Sequence, residues 1–325
     1  MALVDYRSDR ALQDAALSAR TRDDYTNDLF VYISWARSRG HIIRSLDDLD
    51  LSVSAYFNAT FRAKAGVGKG AASNVISALK YYLPHAKTAF PHAQQALNGW
   101  SRARPKKSYP PLTWSLTVAI AVQMVRTGRS DMGVATLLAF DSLLRVSEFT
   151  ALQRDDIVFG DRFDSRVDGL YSQSGARIRK AKTGTEQWSQ IINKDVLALL
   201  RQHAFTRRAG QKLFGFSADQ YRSMFKRVCA ELGLPLSFVP HSLRHGGGTF
   251  LFLMGMPIDN IMIRGRWAEK KSARIYIQSG RALLLSLTIP RTIALAGRLL
   301  SKHILLAFAE AQAWARGAHR HDEFV

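Results

Sequence analysis

His241 and Arg244 stand one helical turn apart in PHSLRHGGG, residues 240–248. At that spacing two side chains share a helix face. They offer hydrogen-bond donors and no negative charge, which suits an anionic guest. Arg145, in FDSLLRVSEF with Glu148 three residues on, is a second candidate cation. Lys182 in KAKTGT, Trp267 in RGRWA and Tyr276 in RIYIQ follow in chain order. If the anion is a phosphodiester, cutting it needs a nucleophile, stabilisation of charge at a pentacoordinate phosphorus and an acid for the leaving oxygen. No HExxH motif offers a metal, and the acidic pairs Asp47-Asp48 and Asp155-Asp156 read as solvated helix starts. The one cysteine, Cys229, excludes an internal disulfide and a Cys-based zinc site. The expectation is a metal-free, cofactor-free route built on guanidinium groups and a protein nucleophile.

Each of these residues also has a plain structural reading. Arg145 could snorkel from an apolar helix or pair with Glu148. Arg244 could be a surface arginine near a helix start, and His241 a satisfied structural histidine. Lys182 could merely solubilise a turn, and Trp267 and Tyr276 could be packing residues. Taken singly, none decides the chemistry.

The elements that must position them are mostly helical. Residues 8–20 suggest a short helix. A longer one begins at a Thr21 cap, with Asp24 at the third helical position, and stops at Gly40. Two more follow in SLDDLDLSVSAYFNATFRAKAG and GKGAASNVISALKYYLPHA, and a fourth in 91–103. Residues 1–103 therefore read as an all-helical domain, and 104–111, rich in proline and cations, as a linker. From 112 to 325 the pattern is mixed. WSLTVAIAVQMVRTG and DMGVATLLAFDSLLRVSEFTAL read as two helices, the second enclosing Arg145. DIVFGDRFD and GARIRKAKTGTEQWSQIIN suggest a small antiparallel sheet with a hairpin turn at Thr183-Gly184. Helices resume to the end, with KKSARIYIQSGRALLLS and PRTIALAGRLLSKHILLAFAEAQAWARG each read as one. The fold class is mainly α with a small antiparallel β-sheet.

Charge narrows the partner. The 325 residues carry 46 Lys+Arg against 26 Asp+Glu, a net charge of +20. Of that excess, +16 falls after residue 103. Such a balance favours a polyanion, most often nucleic acid, through phosphate neutralisation. Arg104, Lys106, Lys107, Lys69, Lys270 and Lys271 are candidate DNA contacts. A membrane-surface binder is the competing reading of charge alone. No apolar run reaches the length of a membrane span, and the N-terminus has acids where a signal peptide would be apolar, so an intracellular protein is expected.

In order and spacing, Arg145, Glu148, Lys182, His241, Arg244, Trp267 and Tyr276 resemble the tyrosine recombinase family of phage integrases and Cre-type recombinases. Its pattern is an Arg with an acidic residue three positions on, a hairpin Lys, His-x-x-Arg, a His or Trp, and a nucleophilic Tyr. Trp267 lies 23 residues after Arg244 and nine before Tyr276, as in the Cre-type branch. The looser segment ARTRDDYTNDLFVYISWA resembles the family's helical core-binding domain, and the likeness runs from about residue 18 to 280.

That resemblance implies a two-domain, C-shaped clamp, with a SAM-like core-binding domain joined to a catalytic domain and its helical tail. It implies that Tyr276 attacks a DNA phosphate to leave a 3′-phosphotyrosyl bond. Arg145 and Arg244 would then hold the phosphate oxygens, His241 assist proton transfer, Trp267 donate its indole N–H, Lys182 protonate the leaving oxygen and Glu148 orient the site. It further implies double-stranded DNA as partner, a tetramer on two DNA sites, independence of metal and ATP, and a role on a mobile element. Glycines 246–248 depart from the family pattern and would let a DNA backbone or a neighbouring helix approach closely, which would keep the phosphate-binding surface open. The tail after Tyr276 would dock on a neighbouring protomer. Two other classes remain. One is a DNA-binding protein without strand exchange, for which GTFLFLMGMPIDNIMIRGRW would be a helix-turn-helix with Gly255 in the turn. The other is a type IB topoisomerase.

Overall fold

The structure, a computed structural model, describes residues 11–63, 68–105, 109–160, 173–181 and 184–322. The chain divides into two compact units, Met1–Lys107 and Ser108–Val325.

Among its described residues the regular elements of the first unit are all helices. It contains α1 (Ala11–Ala15), α2 (Ala19–Ser38), α3 (Leu46–Arg62), α4 (Lys69–Tyr82) and α5 (Pro91–Ala103). Tyr32, Val53, Tyr56, Phe57, Val75, Leu79, Leu97 and Trp100 form its core. Ser45 and Asp48 make a reciprocal capping box at the start of α3. The expected cap at Thr21 does not form. Ser18 Oγ accepts from Thr21 N at 3.1 Å, so the helix begins three residues earlier and Thr21 lies inside its first turn. Of the helix expected over 8–20, residues 8–10 lie outside the described residues, and the rest gives α1, which stops at Ala15 before the Ser18 cap.

The second unit opens with α6 (Trp114–Arg126), α7 (Ser130–Asp141) and the one-turn α8 (Val146–Phe149). Strands β1 (Ile157–Val158), β2 (Gly175–Ala181) and β3 (Gly184–Gln190) make an antiparallel sheet in that order, with Arg177 opposite Trp188 and Ala181 opposite Gly184. Helices α9 (Lys194–Phe205), α10 (Ala218–Glu231), α11 (His241–Leu253), α12 (Ile258–Gly265), α13 (Lys270–Tyr276), α14 (Ser279–Ser286), α15 (Arg291–Lys302) and α16 (Ile304–Asp322) complete it. Almost every residue of α6 and α7 is buried, because α6 is packed by α7, α15, α16 and α10. Helices that are apolar all round have to be central.

Three expected continuous helices are broken. The stretch 131–152 stops at Asp141 and restarts at Val146, with Leu143 left-handed at φ 51°. The stretch 270–286 divides after Tyr276, where Ile277 turns extended. The tail divides at His303, so that α15 and α16 meet at 110° and both bury apolar residues near α6. Among the described residues no single helix is long and apolar enough to cross a membrane.

Candidate functional site

The break after α7 determines how Arg145 is presented. Leu143 is fully buried in a small apolar cluster with Ile261, Trp267 and Ala273. A left-handed non-glycine residue costs roughly 1–2 kcal/mol. Here the turn aims the Leu143 carbonyl inward, where it accepts from Arg244 Nη1 and, at 3.4 Å, from Arg266 Nη2. Arg145 is therefore not inside an apolar helix, as its sequence context suggested. It is the extended residue that starts α8.

Glu148 sits one turn into the same element and is almost fully buried. Its Oε1 accepts from Arg145 Nη1 at 2.5 Å. Its Oε2 accepts from the Arg145 backbone N–H at 2.8 Å and from Arg266 Nη2 at 2.6 Å. Burial raises the carboxyl pKa, but Arg266 and Arg145 outweigh it and the net shift is downward. Glu148 is an ionised anchor for two guanidinium groups.

Helix α11 supplies His241 and Arg244. Arg244 has no solvent-exposed surface. It donates through Nη1 to Leu143 O and through Nη2 to Gly265 O, and its Nε finds no hydrogen-bond partner. Burial, then the like charges of Arg145 and Arg266, pushes its pKa down to about 9, which still leaves a cation at neutral pH. Its Cζ lies 4.8 Å from the Trp267 ring centroid and 5.4 Å from that of Tyr276.

The three glycines after Arg244 lie inside α11 and are buried. A Cβ at Gly246 would come within 2.1 Å of Leu112 O, and one at Gly247 within 2.3 Å of Phe140 O. At Gly246 and Gly247 the missing side chains admit neighbouring backbone, so these two do not hold open a surface for the anion, whereas a Cβ at Gly248 would meet Trp267 at 3.4 Å and Tyr276 at 3.9 Å. For Gly246 and Gly247 that corrects the phosphate-facing reading in favour of close approach by neighbouring backbone.

Trp267 follows the end of α12, which Arg266 closes in a left-handed conformation at φ 55°. The indole lies flat against Gly265, where a Cβ would be 2.2 Å from the ring. Its Nε1 is buried and makes no hydrogen bond. Tyr276 is the last residue of α13. Its ring centroid is 4.7 Å from Trp267, 5.4 Å from His241 and 4.5 Å from His245. Arg145, Glu148, His241, Arg244, Trp267 and Tyr276 thus converge on one locus. A cavity of about 690 Å³ opens beside it, lined by Arg145, His241, Tyr109, Arg222, Lys226 and apolar residues.

The other sequence-nominated residues fare differently. Lys182, Lys106 and Lys107 lie outside the described residues. Arg104 donates to Phe61 O at 3.0 Å and covers the Phe61 ring at 4.2 Å, so it is engaged within its own unit. Lys270 pairs with Asp259 at 3.0 Å. Lys271 is exposed and Lys69 half-buried. Among the described residues no cluster of three or more His, Cys, Asp or Glu could hold a metal.

Sequence reasoning passed over His245, Arg264 and Arg266. Arg264 donates to Asp141 O at 2.6 Å and lies 3.4 Å from the Asp141 carboxylate, tying α12 to the end of α7. His245 directly follows Arg244 in sequence and stacks on Tyr276. The available signal was a cluster of basic residues flanking each candidate.

Chemically, the locus presents a phenol beside two imidazoles, an unpartnered indole N–H and buried guanidinium groups fixed by a carboxylate. Such a set can stabilise negative charge on a phosphorus centre. Residues 126–282, which include every residue of this locus, match the family model "Phage integrase family". This segment is a phage integrase family domain. The integrase segment has curated relatives. It is 30% identical over 179 residues to tyrosine recombinase XerC of Chlamydia muridarum, and 28% identical over the same length to tyrosine recombinase XerC of Chlamydia trachomatis serovar L2. Each match covers 53% of this chain and 55% of the relative, so the chain spans about half the length of the curated relatives it matches. Two solved structures share the fold of this chain. One is a lambda integrase dimer bound to a COC′ core site, with TM-score 0.57 and 16% identity, covering 84% of this chain and 76% of that one. The other is the Tn1549 transposon integrase in complex with transposon right end DNA, with TM-score 0.54 and 15% identity, covering 80% and 99%.

Proposed function

We propose that this protein is a site-specific DNA recombinase that cuts and rejoins strands through a 3′-phosphotyrosyl intermediate. The observation that carries the reading is the Tyr276 ring, held among His241, Trp267 and Arg244 inside an integrase family domain. The Tyr276 hydroxyl oxygen attacks the scissile phosphorus. A P–O bond to tyrosine forms as the P–O5′ bond breaks. The phenolic proton passes to His241, and Lys182 gives a proton to the departing 5′-oxygen. A 5′-hydroxyl of another strand then reverses both steps. One phosphoester replaces another, so the exchange consumes no ATP, and the cations supply the charge stabilisation that a metal would otherwise give.

Arg145, fixed by Glu148, and Arg244 act as the phosphate clamp. The neighbouring cavity, with Lys226 and Arg222 on its wall, accepts the flanking sugar-phosphate chain. Lys69, Lys271 and the basic 104–111 linker add phosphate contacts. Residues 1–103 form the second DNA-binding unit, four protomers act on two sites, and the protein works inside the cell on a mobile element's DNA.

The test uses no known target. Wild-type and Tyr276→Phe proteins are incubated with a pool of nicked, randomised duplexes, denatured and analysed for DNA-linked peptide. Adducts in wild type alone, on the Tyr276 peptide, are expected. Tight binding with no adduct would favour a binder without strand exchange, and relaxation of any supercoiled plasmid by a monomer would favour a type IB topoisomerase.

A further inference from the structure

The polypeptide turns sharply just after Tyr276, and one buried hydroxyl spans the turn. Thr249 Oγ1 donates to Tyr276 O at 3.0 Å and accepts from Gln278 N at 3.0 Å. Both sides of Ile277 are tied to a single side chain of α11. Gln278 Nε2 donates to Ile275 O at 2.8 Å, which fixes its amide orientation, and also reaches His245 Nδ1 at 2.9 Å. His245 lies one turn before Thr249 on the same helix face. Its ring stacks on the Tyr276 ring at 4.5 Å with 26° between planes. Both His245 and Thr249 are almost fully buried.

We infer that His245, Thr249 and Gln278 form a latch that sets the position of the Tyr276 phenol, acting as positioning residues for its attack. The inference rests on the proposed nucleophilic role of Tyr276. A tyrosine side chain has two soft torsions. With its carbonyl pinned by Thr249 and one ring face covered by His245, little freedom remains to the hydroxyl. Gln278 can only donate through Nε2, so His245 Nδ1 is the acceptor and the ring is neutral. Burial, with His241 close by, lowers the His245 pKa to about 4, which agrees with that tautomer. His245 is thus a spacer and hydrogen-bond acceptor. Proton transfer belongs to His241.

Positioning is worth a great deal in such a reaction: a misplacement of about 1 Å can cost roughly 100-fold. Thr249→Val keeps the shape of the side chain and removes both hydrogen bonds, and Thr249→Ser restores them. Gln278→Leu removes the link to His245 from a half-buried position.

The experiment has two arms on the full chain. In the first, hydrogen exchange at the Gln278 amide is compared in wild type, Thr249→Val and Thr249→Ser; this arm needs no DNA. In the second, the single-turnover rate of adduct formation at saturating nicked duplex pool is measured alongside DNA affinity and Tm. The expected result is loss of Gln278 amide protection in Thr249→Val, its return in Thr249→Ser, and adduct rates about 10- to 100-fold lower in Thr249→Val and Gln278→Leu at unchanged Kd. Unchanged protection in Thr249→Val would overturn the latch, as would unchanged adduct rates in both variants. If instead Tyr276→Phe forms adducts as wild type does, the nucleophile assignment fails, and the exchange arm still decides the latch.

Discussion

Arg266 Nη2 donates to Glu148 Oε2 at 2.6 Å across 118 residues of sequence, with both side chains at least 96% shielded from solvent. Arg145 holds the other oxygen of that carboxylate. Removing the charge strands two guanidiniums in a low-dielectric site, and breaking a buried pair in this way costs about 3–5 kcal/mol. Glu148→Gln is expected to lose about that much stability in denaturant melts, and to slow any DNA cleavage through a displaced Arg145. The folded pKa of Glu148 is depressed, so its contribution is complete above the unfolded carboxylate value and fades as pH falls through the folded one. A Glu148→Gln protein should therefore lose less stability on acidification than wild type. Equal acid sensitivity of the two would show that the carboxylate is not the anchor.

His245 makes a second, separable pH prediction. Its pKa is lowered to about 4 against an ordinary value of about 6.5. Its surroundings are His241 and Arg244 on its own helix, Tyr276 and Gln278 at the adjoining turn, and Arg281 on α14. Between those two pH values the unfolded chain takes a proton that the folded chain refuses. Folding stability therefore falls as pH drops through that window. His245→Asn, with no proton to take, should flatten Tm against pH there. An undiminished slope would mean that His245 is already charged in the native protein.

Lys182 tests the chemistry from the leaving-group side. If it protonates the departing oxygen, Lys182→Ala should slow cleavage by about 100-fold or more while leaving DNA affinity nearly unchanged. A 5′-thio leaving group needs no acid. Duplexes carrying it should restore the rate of the Lys182→Ala protein, and failure to do so would remove Lys182 from the acid role.

Residue types and their order were legible because they are local properties. The His241–Arg244 spacing, the hairpin strands and the apolar α6 and α7 all follow from short-range pattern. The arrangement around Arg145 was not legible. Nothing in DSLLRVSEF announces a left-handed Leu143, because its carbonyl is claimed by Arg244 Nη1, 101 residues away. The same distance hid Arg264, whose acceptor Asp141 O lies 123 residues earlier, and the Thr249 hydroxyl, which meets Tyr276 O across 27 residues. Basic residues beside a candidate site look interchangeable in sequence. Burial separates Arg264 and Arg266, which brace the site, from exposed Lys270 and Lys271, which face solvent.

Glycines 246 and 247 show how misleading a local reading can be, and they yield the last prediction. Glycine in a helix costs roughly 0.5–1 kcal/mol relative to alanine, so two in succession need a reason. The reason is the approach of Leu112 O and Phe140 O, at 2.1 and 2.3 Å from where a Cβ would stand. Gly246→Ala forces α11 away from those carbonyls and should destabilise by about 1–3 kcal/mol, read as a lower Tm. Gly99, in the exposed part of α5 with open space around it, is the control, and Gly99→Ala should stabilise by about 0.5–1 kcal/mol. A Gly246→Ala protein with wild-type Tm and weakened DNA binding would restore the glycines to the phosphate surface. A Tm loss in Gly246→Ala alone assigns them to packing, and with it the task of holding His241 and Arg244 against α7.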